Sequence, residues 1–236
     1  MSVNSRANLQ PDVGVLIAAG GVGSRSGTAA PKQFHPIAGV PMLLRCVRPF
    51  AQHPRVGQIV VALPKSAISQ PPSWLTSLVG DRLKLVEGGP TRAESVRAAF
   101  TALGTAVAIV LVHDAARPFV ARDTIDAVLN LASECGVVPV MPVTDTLKRS
   151  DSCTGQIVET VDRAKLWRAQ TPQGFPREVL QQAYERAGPS RLRDSTDEAA
   201  LLEAAGFEVR LVPGAARNIK VTTATDIAIA ELLARE

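Results

Sequence analysis

Residues 16–32, Leu16-Ile-Ala-Ala-Gly-Gly-Val-Gly-Ser-Arg-Ser-Gly-Thr-Ala-Ala-Pro-Lys32, decide the reading of the fold. An apolar run stops at Ala19 and gives way to Gly20, Gly21 and Gly23, then to two cations, Arg25 and Lys32. Residues 13–19 are continuously apolar and bounded by glycine, which fits a parallel strand buried on both faces. Glycines after such a strand let backbone N–H groups turn toward an anion where a Cβ would block the approach, and the cations add charge that peptide dipoles alone do not supply. A glycine-rich turn after a strand also serves as a plain tight connection. The spacing of Arg25 and Lys32 tips the reading toward a phosphate cradle.

Outward from the cradle, strands and helices alternate. Leu43, Leu44, Val47, Phe50 and Ala51 have helical spacing, with Pro54 just beyond. Residues 58–63 read as a second strand, 64–73 as a loop, 74–79 as a short helix and 84–86 as a third strand. Thr91 and Glu94 form a capping box for a helix running to 103. Residues 107–112 are a strand that delivers His113-Asp114-Ala115-Ala116-Arg117-Pro118 to its carboxyl end, the edge where open α/β sheets hold ligands. A helix with Ile125, Val128, Leu129 and Ala132 on one face, stopped by Gly136, leads to a strand over 137–143. This order predicts an α/β fold: a Rossmann-like, mostly parallel twisted sheet with helices on both faces.

The rhythm then changes. Residues 144–148 and 156–161 are short, mixed in polarity and joined by the turn-forming Asp151-Ser-Cys-Thr-Gly155, so a β-arm is expected to project over about 144–170. An arm that buries little against its own domain needs a partner, which points to a homodimer. Beyond it, the pattern predicts a helix over 176–187, a mobile loop over 188–193 and a second capping box from Ser195 and Glu198. Strands over 208–212 and 218–221 and a closing helix over 224–235 follow.

The length of 236 residues suits a single domain, 1–236, with a core large enough to dispense with disulfides. Cys46, Cys135 and Cys153 are odd in number and form no CxxC pair, which argues against a disulfide framework or a zinc site and for a reducing, cytoplasmic setting. Residues 1–12 contain no apolar signal region, and no uncharged apolar run nears the length of a membrane span, so neither export nor a membrane is expected. A net charge of +4 would suit nucleic acid, but aromatics are only 4% and no basic cluster is interleaved with them. Small anionic substrates account for the charge equally well, as does an ordinary modestly basic surface.

Two common phosphate motifs fail on the cradle. A Walker loop needs a Gly-Lys pair, which the chain lacks, and a dinucleotide fingerprint meets Ser26 at its third glycine. Asp114, expected at the same sheet edge, is a natural ligand for Mg²⁺, which takes one or two protein oxygens and leaves the rest to water and phosphate; the other reading is a capping residue of the Ala-Arg-Pro turn. His113 has no second histidine suitably spaced and reads as a buried, hydrogen-bonded side chain. Arg92 and Ser95, opening a helix after Gly88-Gly89, suit a nucleotide or a plain surface. Arg163, Thr171, Thr196 and Lys220 fall in polar loops, where a solvated side chain is the commoner explanation.

Together, Ala18-Ala-Gly-Gly-Val-Gly-Ser-Arg25 with Pro31-Lys32, Gly88-Gly-Pro-Thr-Arg92-Ala-Glu-Ser95-Val, Val112-His-Asp-Ala-Ala-Arg-Pro118, Asp145-Thr146-Leu-Lys148, Thr171-Pro-Gln173, Thr196-Asp-Glu198 and Asn218-Ile-Lys-Val-Thr222 resemble the 2-C-methyl-D-erythritol 4-phosphate cytidylyltransferase family. The His-Asp-Ala-Ala-Arg-Pro block is the most specific. Ala-Gly-Gly in the cradle, Ser26 and Pro90 depart from the family's usual residues. The resemblance implies transfer of a cytidylyl group from CTP to 2-C-methyl-D-erythritol 4-phosphate, with release of pyrophosphate, in non-mevalonate isoprenoid synthesis. By motif position it implies Arg25, Lys32, Arg163 and Lys220 as catalytic. Ala19, Gly20, Gly21, Gly23, Arg25, Lys32, Gly89, Arg92, Ser95 and Ala115 would contact CTP. Asp114, Arg117, Thr146, Arg163, Thr171, Thr196 and Lys220 would hold the acceptor, Asp114 would also hold Mg²⁺, and the arm of a second subunit would complete the acceptor site.

The cradle and Asp114 do not identify the acceptor. A transferase acting on ribitol 5-phosphate or a sugar 1-phosphate would share both. A nicotinamide-dependent dehydrogenase is disfavoured by the missing third glycine, and a non-catalytic nucleotide-binding regulator would bind CTP without releasing pyrophosphate.

Overall fold

The computed structural model describes residues 11–21 and 32–235. Strand β1 (Val13–Ala18) leads, past the undescribed part of the cradle, to a single 3-10 turn at Lys32–Phe34 and a small antiparallel pair, β2 (Pro36–Ile37) and β3 (Val40–Pro41). Helix α1 (Met42–Ala51), β4 (Val56–Leu63), α2 (Lys65–Ile68), α3 (Ser73–Val79), β5 (Leu83–Glu87), α4 (Arg92–Thr101), β6 (Ile109–Asp114), α5 (Arg122–Leu129) and β7 (Gly136–Pro142) continue the alternation. The arm is the antiparallel pair β8 (Leu147–Ser150) and β9 (Ile157–Val161). Then follow β10 (Trp167–Ala169), β11 (Gln173–Pro176), α6 (Arg177–Arg186), α7 (Pro189–Asp194), α8 (Glu198–Ala204), β12 (Val209–Pro213) and α9 (Ala224–Leu233).

The main sheet runs β10-β7-β11-β6-β1-β4-β5, with β12 added in parallel to β7. β1 lies parallel to both β4 and β6, and its last residue, Ala18, is in register with Asp114. Because successive strand side chains point to opposite faces, the centre of the sheet needs apolar residues at every position. Val13, Val15 and Ile17 pack toward α1, α3 and α5, while Leu16 packs toward α4 in the second core layer, which α6 and α8 share. That double coverage is why residues 13–19 read as an unbroken apolar run. Thr91 and Glu94 cap α4 reciprocally, Thr91 N–H donating to Glu94 Oε2 at 3.0 Å and Glu94 N–H to Thr91 Oγ1 at 3.2 Å.

The later part of the chain departs from expectation in five places. β10, within the span expected for the arm, pairs antiparallel with β7 in the main sheet. β11, not foreseen, inserts antiparallel beside β6 and makes the sheet mixed. It packs tightly because Gly174 carries no Cβ, which would lie 2.5 Å from Val128 Cγ1. The loop expected over 188–193 contains the short helix α7, entered through Pro189. Asp197, not Ser195, caps α8 by accepting from Ala200 N–H, and Ser195 Oγ donates to the Asp197 carbonyl instead. Residues 218–221 form no strand; Asn218 N–H turns back to Ala215 and Val221 N–H reaches Ala116.

Candidate active site

At the carboxyl edge of β1 and β5, two glycines meet. A Cβ on Gly88 would stand 2.9 Å from Gly20 Cα, and one on Gly20 would stand 2.8 Å from Ser95 Oγ, so the close approach requires glycine at both positions. Ser95 is buried, its hydroxyl donating to Thr91 O at 2.9 Å with Gly89 O at 3.2 Å. Gly21 is exposed, with open space where a Cβ would go. Ala19 N–H donates to Ala62, and the Ala19 carbonyl accepts from Gln33 Nε2 at 2.8 Å. Gln33 is a buried amide that the sequence reading missed, and it ties the turn bearing Lys32 to the end of β1. Gly23 and Arg25 lie outside the described residues.

A cluster of alternating charge sits beside these glycines. Asp114, at the end of β6, accepts from Arg92 Nε at 2.8 Å and from Lys220 Nζ at 2.8 Å. Arg92 also reaches Glu198 Oε2, at 2.9 Å from Nη1. Burial opposes ionisation of Asp114, but Arg92 and Lys220 outweigh it and hold the carboxyl well below its ordinary range. Glu198 is fully buried, and burial pushes its carboxyl up even with Arg92 beside it. Arg92 Nη2 and Glu198 Oε1 remain buried without hydrogen-bond partners. Lys32 Nζ donates to the Val221 carbonyl at 2.9 Å, next to Lys220 in the chain.

A second group of polar side chains lies deeper. Arg117 is buried, donating from Nη1 to the Asn218 carbonyl at 2.8 Å and from Nη2 to Ala169 O at 3.2 Å. Thr171 is buried too, with Oγ1 accepting from Asp114 N–H at 3.1 Å and lying 3.0 Å from His113 Nδ1. His113 is the buried, hydrogen-bonded ring that the sequence predicts, and burial pushes its pKa down to about 4, so it is neutral at pH 7. Ala115 donates its N–H to Ala18 O, and its carbonyl accepts from Cys46 Sγ at 3.1 Å. The remaining expected acceptor residues are exposed. Thr146 precedes β8, Arg163 follows β9 and bonds locally to the Thr144 carbonyl, and Thr196 precedes the Asp197 cap.

The donor set fits Mg²⁺, which needs few protein oxygens. Among the described residues there is no group of three metal-ligating side chains. Asp114 offers one carboxylate, kept ionised by its neighbours, with lone pairs left over after two hydrogen bonds. A cation held largely by substrate phosphates asks for no more.

Residues 13–236 match the family described as IspD, 2-C-methyl-D-erythritol 4-phosphate cytidylyltransferase. The chain belongs to this family. The family's enzyme from Haemophilus ducreyi is 40% identical over 216 residues, covering 92% of this chain and 93% of that one. A bifunctional enzyme IspD/IspF from Mesorhizobium japonicum is 41% identical over 238 residues, covering 96% of this chain and 56% of its own length. The crystal structure of the family's enzyme from Thermus thermophilus superposes with a TM-score of 0.78 at 35% identity, covering 95% of this chain and 100% of that one. Membership makes the chain a nucleotidyltransferase of isoprenoid precursor synthesis and implies CTP and 2-C-methyl-D-erythritol 4-phosphate as its substrates. No helix among the described residues is long and apolar enough to cross a membrane.

Proposed function

We propose that the edge bearing Gly20, Lys32, Gly88, Asp114 and Lys220 is where the cytidylyl group moves from CTP to 2-C-methyl-D-erythritol 4-phosphate. The observation that carries the reading is the 2.8 Å pairing of Lys220 with Asp114 at the end of β6, beside the glycine contact between β1 and β5. An oxygen of the acceptor phosphate attacks the α-phosphorus of CTP, a new P–O bond forms, the bond to the β-phosphate breaks and pyrophosphate leaves. A phosphate monoester has a second pKa near ~6, so the nucleophile is already largely dianionic at pH 7 and needs no general base. The buried, fully bonded His113 agrees with that.

The barrier is the approach of one anion to another and the charge that builds on the leaving group, which fixed cations lower. Lys32 and Arg25 act on the triphosphate and the departing pyrophosphate, and Lys220 bridges the α-phosphate and the acceptor. Gly21 and Gly23 would give backbone contacts to the triphosphate. Asp114 would hold Mg²⁺, which when bound neutralises phosphate charge. Arg117 and Thr171, bonded inside the protein, shape the acceptor pocket, and Thr146, Arg163 and Thr196 meet the acceptor itself.

The arm supplies the dimer in this reading. Ile157 and Val158 on the arm and Trp167 just after it are 65%, 60% and 50% exposed, large apolar side chains suited to cover by a second copy of the chain. Three free thiols, Cys46, Cys135 and Cys153, suit a reducing cytoplasm. The test is pyrophosphate release measured over a matrix of nucleoside triphosphates and acceptor phosphates, with Mg²⁺ and with chelator. Turnover confined to CTP with methylerythritol phosphate, and lost on chelation, is expected. Turnover of ribitol 5-phosphate in its place would overturn the assignment.

A further inference from the structure

We infer that His113 and Thr171 are positioning residues, joined in a one-directional hydrogen-bond chain that sets Asp114 against Lys220. The inference rests on the proposed roles of Asp114 and Lys220. His113 Nε2 lies 3.0 Å from the Arg117 carbonyl, a group that only accepts, so Nε2 carries the ring proton. Nδ1 faces the Thr171 hydroxyl 3.0 Å away, which donates to it. The same hydroxyl oxygen accepts the backbone N–H of Asp114 at 3.1 Å. The order is therefore Asp114 N–H to Thr171, Thr171 O–H to His113, and His113 N–H to Arg117, with one direction open to every member.

Thr171 also reaches the other half of the ion pair. Its carbonyl accepts from Asn218 Nδ2 at 2.8 Å, and Asn218 opens the segment that carries Lys220. Thr171 thus stands between the backbone of Asp114 and the backbone leading to Lys220, whose side chains meet at 2.8 Å. His113 and Asn218 are 0% exposed and Thr171 is 5% exposed, so water does not replace a bond that is removed. A shift of either backbone moves a charge that faces the reacting phosphates, and rates fall steeply with such misplacement.

The test compares Thr171→Val, which keeps the shape and removes the hydroxyl, with Thr171→Ser, which keeps the hydroxyl. Thr171→Val should lower kcat by roughly 10–100-fold, the usual scale for a group that orients a ligand. Its KM for CTP should move by less than about threefold, and Thr171→Ser should recover most of the loss. Because both residues act through one chain, Thr171→Val with His113→Asn should lose less than the product of the single losses. An unchanged kcat in Thr171→Val, or a loss confined to the acceptor KM, overturns the inference; so does a fully multiplicative double variant. Imidazole ¹⁵N NMR of the wild-type protein at pH 7 reads the chain without any variant. The Nε2–H tautomer of His113 is expected, and the Nδ1–H form overturns the inference. Failure of wild-type turnover with CTP and methylerythritol phosphate would instead overturn the functional reading, whatever tautomer is found.

Discussion

Lys32 Nζ donates to the backbone carbonyl of Val221 at 2.9 Å, across 189 positions of sequence. The cation that ends the glycine-rich stretch is thereby tied to the segment that carries Lys220, and both lysines converge on the edge where β1 and β6 finish. Val221 in turn packs with Ile37, Met42, Cys46 and Ala230, so α9 anchors this closure. The first prediction concerns Lys32 itself. Lys32→Met keeps the stem and removes the charge. Loss of a transition-state contact of this kind costs about 2.7–4 kcal/mol, on the order of 10²–10³ in kcat, with KM for CTP much less affected. Steady-state kinetics decide it, and an unchanged kcat would remove Lys32 from the mechanism.

The second prediction is acid sensitivity at the start of α9. Asp226 accepts from Thr222 Oγ1 and from the N–H groups of Thr222 and Thr223, all at 2.7 Å. The Thr222 hydroxyl first, and the two N–H groups with it, outweigh slight burial and draw its pKa from 3.8 down to about 2. A carboxyl whose folded pKa is depressed adds stability above its unfolded pKa and loses it as pH falls through the folded value. Between about pH 4 and pH 2 the wild-type melting temperature should therefore fall more steeply than that of Asp226→Asn. Parallel curves in thermal melts across that window would show that the cap contributes nothing.

The sheet edge was legible in the sequence because its signals are local. Residues 13–19 and 107–112 are apolar at every position, and glycine or the His-Asp block marks where each strand stops. β11 was not legible, since Gln173-Gly-Phe-Pro176 is too short to show a period and ends in proline. Asn218-Ile-Lys-Val221 alternates like a strand but has no strand edge to pair with, and its donors go to turns and to Ala116. Ser195 and Glu198 fit the spacing of a capping box, yet Asp197 takes the cap and Glu198 turns inward to Arg92, 106 positions away. A pairing over that distance leaves no local pattern, so the Arg92–Glu198 pair was not legible in the sequence.

The third prediction follows from that pair. Glu198 is 0% exposed and Arg92 is held between it and Asp114. Removing one partner of a buried pair leaves the other charge poorly compensated and typically costs about 3–5 kcal/mol. Glu198→Ala should lose about that much in urea unfolding, and Glu198→Gln, which keeps an acceptor for Arg92, should lose less. A loss under about 1 kcal/mol for Glu198→Ala would mean that Asp114 alone satisfies Arg92.

The fourth prediction tests the arm as an interface. β8 and β9 form their own two-stranded sheet, and a lone hairpin is marginal in water without a surface to pack on. Ile157→Asp with Val158→Asp places charge on the most exposed apolar residues of the arm, where covering them with a partner would bury unpaired carboxylates. Light scattering is expected to find a dimer for the wild type and a monomer for the variant. If the neighbouring arm completes the acceptor site, the same variant should raise the acceptor KM by roughly tenfold or more and leave CTP affinity nearly unchanged. Arg163→Ala, at the base of the arm, should raise the acceptor KM without changing the assembly. A wild-type monomer with full turnover would sink both the dimer and the shared site, and equal loss of affinity for both substrates in Arg163→Ala would make that residue a support of the arm alone.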